Sequence, residues 1–254
     1  MSIHASAAGA SIVLDNLTVA YEGHPAVHHL HGTFAAGSMT AVVGPNGAGK
    51  SSLLRAIVGM LRPAEGEVRL LGVHPGDIAY LPQQTEVDRQ FPLPVGDLVA
   101  MGAWRRSGPL AAIGAELCDR VREAIHAVGL GGLDERPIGT LSVGQFQRVL
   151  FARVMVQDAP LILLDEPFNA IDERTCGDLI ALVHRWHGEG RTLLAVLHDL
   201  QQVREHFPQS LLLSREKVAW GDTAGVLTPE HLSRARSLAE GWDAHPAVCE
   251  VRPH

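Results

Sequence analysis

The feature that most constrains this chain is the stretch GPNGAGKSS, which occupies residues 44–52. It follows the apolar run MTAVV and precedes a segment in which Leu and Ile recur at helical spacing. The stretch fits the pattern G-x-x-x-x-G-K-S/T of a phosphate-binding loop, and it lies between a predicted strand and a predicted helix, as that motif requires. We therefore expect an α/β fold with a nucleotide site at this strand-to-helix turn.

The residues of this loop have distinct chemical tasks. Its glycines allow a tight curl in which successive backbone N–H groups point at phosphate oxygens, and the following helix offers its positive N-terminal end. Lys50 is expected to reach the β- and γ-phosphates, and the hydroxyl of Ser51 is expected to bind Mg²⁺. The predicted nucleotide-binding residues of the loop are Gly44, Pro45, Asn46, Gly47, Ala48, Gly49, Lys50, Ser51 and Ser52.

A second buried strand is predicted at LILLDE, which ends in two acidic residues. Ligands of open α/β sheets bind at the carboxyl ends of the strands, so Asp165 is placed where it could hold Mg²⁺ through water. Glu166 is placed to orient or deprotonate an attacking water. Two solvated acids at a strand end are common, and it is the phosphate loop elsewhere in the chain that favours the functional interpretation.

Two other predicted strands end in polar residues that could reach the same edge. His198 ends the apolar run TLLAVLH and is a candidate to contact the γ-phosphate or the attacking water. Gln83 ends the strand in YLPQQ and could touch Mg²⁺ or the water, although its neighbour Gln84 leaves this assignment open by one residue.

Strands that are apolar along their whole length alternate with helical patterns, which indicates a parallel sheet covered on both faces. Further strands are predicted at 11–20 and in the runs EVRLLG, DIAYLP and SLLLS. The predicted helices are Ser51 to about Leu61, about 143–157 and about 173–187, with a mostly helical insertion at 84–140 and a polar, partly helical tail at 222–254.

Composition narrows the class of protein. The formal charge of −7 argues against broad nucleic-acid binding, which usually needs a basic face. The three cysteines are far apart, which suits reduced thiols better than a disulfide framework. The chain has no signal-peptide pattern and no apolar run near the roughly eighteen residues of a membrane span, so we expect a soluble protein whose membrane role comes through a partner.

Taken in order, the stretches GPNGAGKS, LPQ, LSVGQFQR, LILLDEP, NAID and VLHD resemble the ATP-binding subunits of ABC transporters, over about residues 10–232. The resemblance implies an α/β fold of the P-loop NTPase class: an ABC-type ATPase domain with a mainly parallel sheet, an antiparallel β subdomain and a helical subdomain. On this basis residues 1–232 form the ATP-binding domain, with the helical subdomain at about 84–148 inserted in a RecA-like core, and residues 233–254 form a C-terminal tail.

The resemblance also implies a role for single residues. Gln83 corresponds to the Q-loop glutamine, Glu166 to the catalytic carboxylate, His198 to the switch histidine and Asp172 to the D-loop aspartate. Tyr21 lies in the region of the aromatic residue that stacks on adenine, and a packed tyrosine at a strand end is the alternative. The implied cofactors are ATP and Mg²⁺, with Mg²⁺ at Ser51, Gln83 and Asp165, and no structural metal is implied.

The signature stretch that this family uses is Leu141, Ser142, Val143, Gly144 and Gln145. In the family it acts on the nucleotide of a second copy, so the resemblance implies a homodimer in which each chain supplies half of each site. Ser142 and the N–H groups that open the following helix would form the second anion-binding end. Val143 stands where the family usually has glycine; because valine tolerates positive φ poorly, position 143 is predicted to have a helical or extended backbone.

Three stretches, EVDRQFPLPVGDLVAMG, DEPFNAIDERT and VLTPEHL, resemble importers of the zinc, manganese and iron type, and the overall likeness favours zinc over manganese. The implied partners are integral-membrane permease subunits and, through the complex, a periplasmic or extracellular metal-binding protein, but no nucleic acid. The implied location is the cytoplasmic face of the inner (plasma) membrane, peripheral through the permease.

Other functions remain open alternatives. The three stretches could instead reflect common ancestry alone or packing against a permease of any kind. A manganese or iron importer ATPase also fits the sequence. Soluble ABC ATPases of translation carry two ATP domains and those of DNA repair carry long coiled coils or zinc modules, whereas this chain shows one ATP domain and neither addition. Intact Lys50, Asp165, Glu166 and His198 argue against a non-enzymatic scaffold.

The chain has fourteen histidines, which raises the question of a metal site of its own. His28, His29 and His31 cluster in the sequence, and the residues His245, Cys249 and His254 could meet in the tail. Neither group has the compact spacing of a structural zinc site. We therefore expect surface or locally hydrogen-bonded histidines.

Overall fold

Five strands with almost entirely buried side chains make up most of a six-stranded sheet. In the computed structural model, which describes residues 9–21, 24–83, 88–104 and 114–244, these five strands run parallel to one another. Across the sheet they are Ile78–Leu81 (β5), Leu161–Asp165 (β6), Thr192–Val196 (β7), Met39–Val43 (β3) and Gln209–Ser214 (β8). The predicted parallel sheet with both faces covered is confirmed.

Two strands of the antiparallel part are absent from the sequence-based prediction. The sixth strand of the main sheet is Glu216–Asp222 (β9), which pairs antiparallel with β8. A separate antiparallel sheet has the order His24–Phe34 (β2), Ser11–Tyr21 (β1) and Glu65–Leu71 (β4). Neither β2 nor β9 was predicted, because His, Glu and Lys side chains interrupt their apolar pattern. In β2 only Pro25, Val27, Leu30 and Phe34 are buried, at irregular spacing.

The helix that follows the phosphate loop is shorter than predicted, since α1 spans Lys50–Ile57. Gly59 has a φ of 82°, and its N–H donates to the carbonyl of Ala56. A glycine in this left-handed conformation commonly ends a helix. Val58 and Leu61 still pack against the core after the helix has ended, which is why the apolar spacing continues past its last turn.

The predicted helical insertion at 84–140 contains two α-helices in its described part, Val95–Ala100 (α2) and Ala115–Ala127 (α3), and the helix predicted after it is Val143–Gln157 (α4). They pack together, with Phe146 of α4 fully buried. The chain that enters α2 runs beside the chain that enters α4, because Pro94 and Pro137 form a β-bridge and the N–H of Ile138 donates to Leu93 across 2.9 Å. Both ends of the insertion are therefore tied to each other.

The remaining helices are Glu173–Gly188 (α5), Leu200–His206 (α6), Thr223–Val226 (α7) and Pro229–Ala244 (α8). Much of the predicted polar tail is the helix α8, which spans the predicted domain boundary at residue 232. It is attached to the sheet through buried Ala235, whose carbonyl accepts from the Ser214 hydroxyl across 2.9 Å. Within the described residues, the helices are too short or too polar to cross a membrane.

The register of the parallel strands determines where the polar residues meet. Leu81 lies beside Leu164, and Val196 lies beside both Asp165 and Val42. The carboxyl ends of β3, β5, β6 and β7 therefore reach one edge of the sheet, and the segments that follow these four strands converge there.

Candidate functional site

The phosphate loop connects β3 to α1. At the end of this loop the backbone has a conformation that only glycine tolerates. Gly49, the N-cap of α1, has a φ of 88°. A Cβ at this position would lie 2.0 Å from the carbonyl oxygen of Ala26, so a side chain is excluded by both conformation and space. This close packing fixes the start of α1 against the antiparallel sheet, and the first residue of the helix is Lys50.

The side chain of Lys50 is buried and spans the loop. Its Nζ donates to the carbonyls of Gly44 and Pro45, each across 2.9 Å. Burial lowers the pKa of Lys50, while the negative charges of Glu166 and Asp165 oppose that shift. A buried cation beside two carboxylates, at the positive end of a helix, forms a site suited to phosphate.

Ser51 and Asp165 come together as predicted from their positions. The Ser51 hydroxyl donates to Oδ1 of Asp165 across 3.0 Å, and Asp165 is fully buried. Burial raises the pKa of Asp165, and the hydrogen bond from Ser51 opposes that shift. A hydroxyl oxygen and a carboxylate oxygen are hard donors of the type that Mg²⁺ prefers, so this pair fits the implied cation.

Glu166 receives three side-chain hydrogen bonds. Its Oε2 accepts from Nε2 of Gln83 at 2.7 Å and from Nδ2 of Asn169 at 2.6 Å. Its Oε1 lies 2.6 Å from Nε2 of His198. The structure therefore brings Gln83, Glu166 and His198 into direct contact, at the edge where β5, β6 and β7 end. The carboxylate is oriented by groups from three separate segments of the chain.

The backbone of Glu166 is strained. Its φ is 50°, in the left-handed region that non-glycine residues occupy rarely and at an energetic cost of about 1 to 3 kcal/mol. Its N–H donates to the carbonyl of Val196 across 3.2 Å, which ties the residue to the neighbouring strand β7. Strain of this kind persists where surrounding contacts determine the conformation, and such positions are concentrated at functional sites.

Two residues at this edge of the sheet were not identified from the sequence. Asn169 lies three positions after Glu166 in the turn that follows β6, and that spacing could have identified it. Tyr80 is buried in β5, and its hydroxyl donates to Oδ2 of Asp165 across 3.4 Å. Burial, together with the charge of Asp165, raises the pKa of Tyr80 to about 12. The signal available in the sequence was that Tyr80 is a phenol in an otherwise apolar predicted strand.

Tyr21, predicted to stack on adenine, is the last residue of β1 and is 43% exposed. Its hydroxyl lies 3.3 Å from Oγ of Ser52. Although burial lowers the pKa of Arg55, interactions with the phenols of Tyr80 and Tyr21 raise it. Arg55 therefore lies near both the tyrosine predicted to stack on adenine and the tyrosine that contacts Asp165.

The signature stretch lies at the N-terminus of α4. Oγ of Ser142 accepts from the N–H of Gln145, and Oε1 of Gln145 accepts from the N–H of Ser142, both across 3.1 Å. This is a reciprocal capping box, and the Ser142 hydroxyl keeps a hydrogen that it can donate. Val143 is the first residue of the helix and is 39% exposed, so position 143 has the helical backbone expected for a valine.

The signature shares a surface with the predicted D-loop aspartate. Ser142, Val143, Gly144 and Asp172 all line an open cavity of about 500 Å³, whose lining includes no residue of the phosphate loop. Asp172 caps α5, accepting from the N–H and the hydroxyl of Thr175 at 2.9 and 2.8 Å. These bonds lower the pKa of Asp172. The signature stretch and the phosphate loop, which are the two predicted halves of the site, therefore do not share this cavity.

Arg89 holds the first signature residue in place. Its guanidinium carbon lies 4.8 Å from the ring centroid of Phe146, and its Nη2 donates to the carbonyl of Leu141. Its Nε is buried without a hydrogen-bond partner among the described residues. Gln147 connects α4 to the turn after β6. Its buried Nε2 donates across 2.6 Å to the carbonyl of Pro167, the residue after Glu166.

The histidines near the N-terminus are locally bonded, as expected. Nδ1 of His28 lies 3.1 Å from Glu216, and Nδ1 of His29 lies 2.9 Å from Asn16. Nδ1 of His31 lies 3.5 Å from Asp15. The predicted tail residues His245, Cys249 and His254 lie outside the described residues, as does Gln84.

Comparisons with known proteins agree with this geometry. The family model described as ABC transporter matches residues 27–169. The zinc transport system ATP-binding protein TroB of Treponema pallidum is 42% identical over 234 residues, which cover 91% of this chain and 88% of that protein. The manganese transport system ATP-binding protein MntB of Halalkalibacterium halodurans is 38% identical over 227 residues, covering 88% of this chain and 90% of that protein.

Solved structures give the same result. An inward-facing metal-chelate type ABC transporter superposes with a TM-score of 0.79 at 27% identity, covering 90% of this chain and 89% of that one. A dimeric ATP-binding cassette bound to ADP and Pi superposes with a TM-score of 0.73 at 24% identity, covering 84% of this chain and 98% of that one, and this match supports the fold.

Proposed function

The chain belongs to the ABC transporter family as an ATP-binding subunit, and we propose that it hydrolyses ATP to drive the import of a divalent metal ion. The observation that carries the proposal is the triad of Gln83, Glu166 and His198 beside the phosphate loop. Relatives named for zinc and for manganese transport support a metal as cargo, and their names favour a transport role over a soluble one. Zinc is our first candidate, on the 42% identity to the zinc relative.

In this proposal the loop binds the phosphates of ATP and Glu166 acts on the attacking water. The backbone N–H groups of the loop and the ammonium of Lys50 neutralise charge on the phosphates. The carboxylate of Glu166 orients the water and accepts its proton, and His198 and Gln83 hold that carboxylate in position. Ser51 and Asp165 would hold Mg²⁺, which supplies positive charge next to the phosphate oxygens.

We propose that the active form is a homodimer. The signature cavity and the phosphate loop are separate on one chain, so a single subunit offers two incomplete halves. A second copy would place its Ser142 and the N-terminus of its α4 against the nucleotide held by the first. The solved dimer bound to ADP and Pi is consistent with such an arrangement for this fold.

The helical insertion is the proposed contact to an integral-membrane permease. Phe91 and Trp104 are 62% and 57% exposed on it, and large exposed apolar side chains mark interaction surfaces. Through the permease, the chain would lie at the cytoplasmic face of the membrane. An external metal-binding protein would deliver the cargo to the same complex.

The test of this function is metal uptake. Cells that lack the complex are compared with cells restored with the wild-type chain or with Glu166→Gln, using radioactive zinc and manganese separately. Wild type should restore uptake of one metal, and the variant should not. Restoration by Glu166→Gln, or uptake of neither metal with wild type, would refute the proposal. Co-purification with a polytopic membrane protein distinguishes a transporter from a soluble ATPase.

A further inference from the structure

Two histidines face each other across the helices α5 and α6, away from the nucleotide site. Nε2 of His184 lies 3.4 Å from Nδ1 of His206. Their ring centroids are 5.5 Å apart, and the rings meet edge to face at 71°. His184 is exposed and His206 is half-buried, so a small ion can reach the pair from solvent.

The separation of these two nitrogens matches a shared metal ion. Zinc binds histidine nitrogen at about 2.0 to 2.1 Å in a tetrahedral arrangement, which places two ligand nitrogens about 3.3 to 3.4 Å apart. The same distance admits a hydrogen bond whose direction depends on the tautomer, and a metal ion held between the two nitrogens would replace that bond. The two rings are therefore spaced as a pair of ligands would be.

The surroundings of the pair also suit a metal. Oε2 of Glu205 lies 3.9 Å from Nε2 of His206, the nitrogen that does not face His184. At this distance the carboxylate places negative charge beside the ring without a direct hydrogen bond to it.

We propose that His184 and His206 form a regulatory site for zinc or a similar transition metal on the cytoplasmic side. Within the described residues there is no group of three or more His, Cys, Asp or Glu side chains that could hold an ion, so water completes the coordination. Such a site binds more weakly than a four-ligand structural site. It would fill only when the metal accumulates.

Occupancy of this site would act on the catalytic edge through the two helices. α5 begins directly after Asp172, and α6 begins directly after Asp199, the residue that follows His198. A metal that joins the helices stabilises the arrangement to which it binds. A fixed arrangement of α5 and α6 resists the movement that closure of the proposed homodimer on ATP requires, and metal binding therefore slows ATP hydrolysis. This regulatory role rests on the proposed function, in which the cargo is a metal.

The binding experiment uses the full chain and ZnCl₂ in calorimetric titration, in buffer that contains magnesium. The test variant is His184→Gln/His206→Gln. The matched control is His28→Gln/His29→Gln, which removes another neighbouring pair, whose ring centroids are 4.2 Å apart but whose Nδ1 atoms face Glu216 and Asn16. We expect the test variant to lose one zinc per chain and the control to retain it. Equal stoichiometry in wild type and test variant would overturn the site.

The second measurement is ATPase rate against added zinc, in the complex with its permease. Without zinc, all three proteins should hydrolyse ATP at the same rate, which also shows that the variants are folded. With zinc, wild type and control should slow several-fold, while the test variant should not. Equal inhibition of all three, or of none, would overturn the regulatory role. The transport proposal fails separately if metal uptake is absent while zinc still binds to His184 and His206.

Discussion

The side-chain amide of Gln83 donates to the carboxylate of Glu166 across 2.7 Å, although 83 positions separate the two residues in the chain. The contact connects the segment that leads into the helical insertion with the proposed catalytic carboxylate. One hydrogen bond therefore joins the residue before the insertion to this carboxylate.

Glu166→Gln is expected to reduce ATP turnover by about 10² to 10⁴-fold, because an amide cannot accept the proton of the attacking water. ATP binding should persist, and with it an ATP-bound dimer. Phosphate release measures the first effect and size-exclusion chromatography with ATP the second. Glu173→Gln, in the exposed first turn of α5, is the control. Normal turnover in Glu166→Gln would remove this residue from the proposed role.

Tyr80→Phe removes the hydroxyl that contacts Asp165. We expect a loss of about 0.5 to 1.5 kcal/mol of unfolding free energy and a higher Mg²⁺ concentration for half-maximal ATPase rate, because Asp165 is less well positioned. Chemical denaturation and a magnesium titration measure these effects. Tyr21→Phe is the control, and an unchanged magnesium requirement in Tyr80→Phe would contradict the positioning role.

The raised pKa of Tyr80 predicts a specific response to alkali. The phenol is neutral in the folded chain up to about pH 12, whereas in the unfolded chain it ionises near its ordinary pKa of 10.0. The folded state thus holds more protons in this window, so this group's contribution to stability is full below pH 10 and is lost as pH rises to about 12.

The chain has two tyrosines, so Tyr21→Phe leaves Tyr80 as the single phenol. Tyrosinate absorbance in that variant should rise with a midpoint near 12, until unfolding intervenes. The denaturant midpoint of wild type should fall more steeply than that of Tyr80→Phe above pH 10. A midpoint close to that of free tyrosine would show that the phenol is not buried against Asp165.

Val143→Gly is expected to change the ATPase rate only modestly, because Val143 already has a helical backbone in the first turn of α4. The glycine should cost up to about 1 kcal/mol of stability. Steady-state ATPase assays and thermal unfolding test both statements. A rise in rate by orders of magnitude would instead mean that the valine obstructs the nucleotide of the partner copy.

Arg89→Ala should lower the ATPase rate and destabilise the helical insertion by about 1 to 3 kcal/mol. It removes the cation over Phe146 and the hydrogen bond to Leu141. Arg89→Lys should restore little, because the ammonium cannot reproduce the flat stacking of guanidinium. Arg122→Ala, which breaks only an exposed ion pair with Asp119, is the control. Equal effects in both alanine variants would exclude a special role for Arg89.

The parallel sheet and the phosphate loop could be predicted because each depends on local pattern. An apolar strand, a glycine-rich turn and a helix are adjacent in sequence, so their order alone places Lys50 and Ser51. The strand β2 could not be predicted in the same way. Its burial depends on pairing with β1, and its polar histidines find partners such as Glu216 only after the fold has formed.

The polar contacts of the site were predictable only in part. The resemblance to a known family identified Gln83, Glu166 and His198 as functional candidates, but not that one carboxylate would hold both of the others. Asn169 and Tyr80 were missed because each acts through a partner rather than through a motif. Their roles depend on distances between strand ends, which a linear pattern does not contain.

The three hydrogen bonds to Glu166 make the position of its carboxylate depend on three separate segments of the chain. Gln83 precedes the helical insertion, Asn169 lies in the turn after β6, and His198 lies between β7 and α6. The loss of any one of these donors removes a hydrogen bond that orients the same two oxygens. We therefore expect ATP hydrolysis to depend on three segments of the chain at once: the one before the insertion, the turn after β6 and the segment after β7.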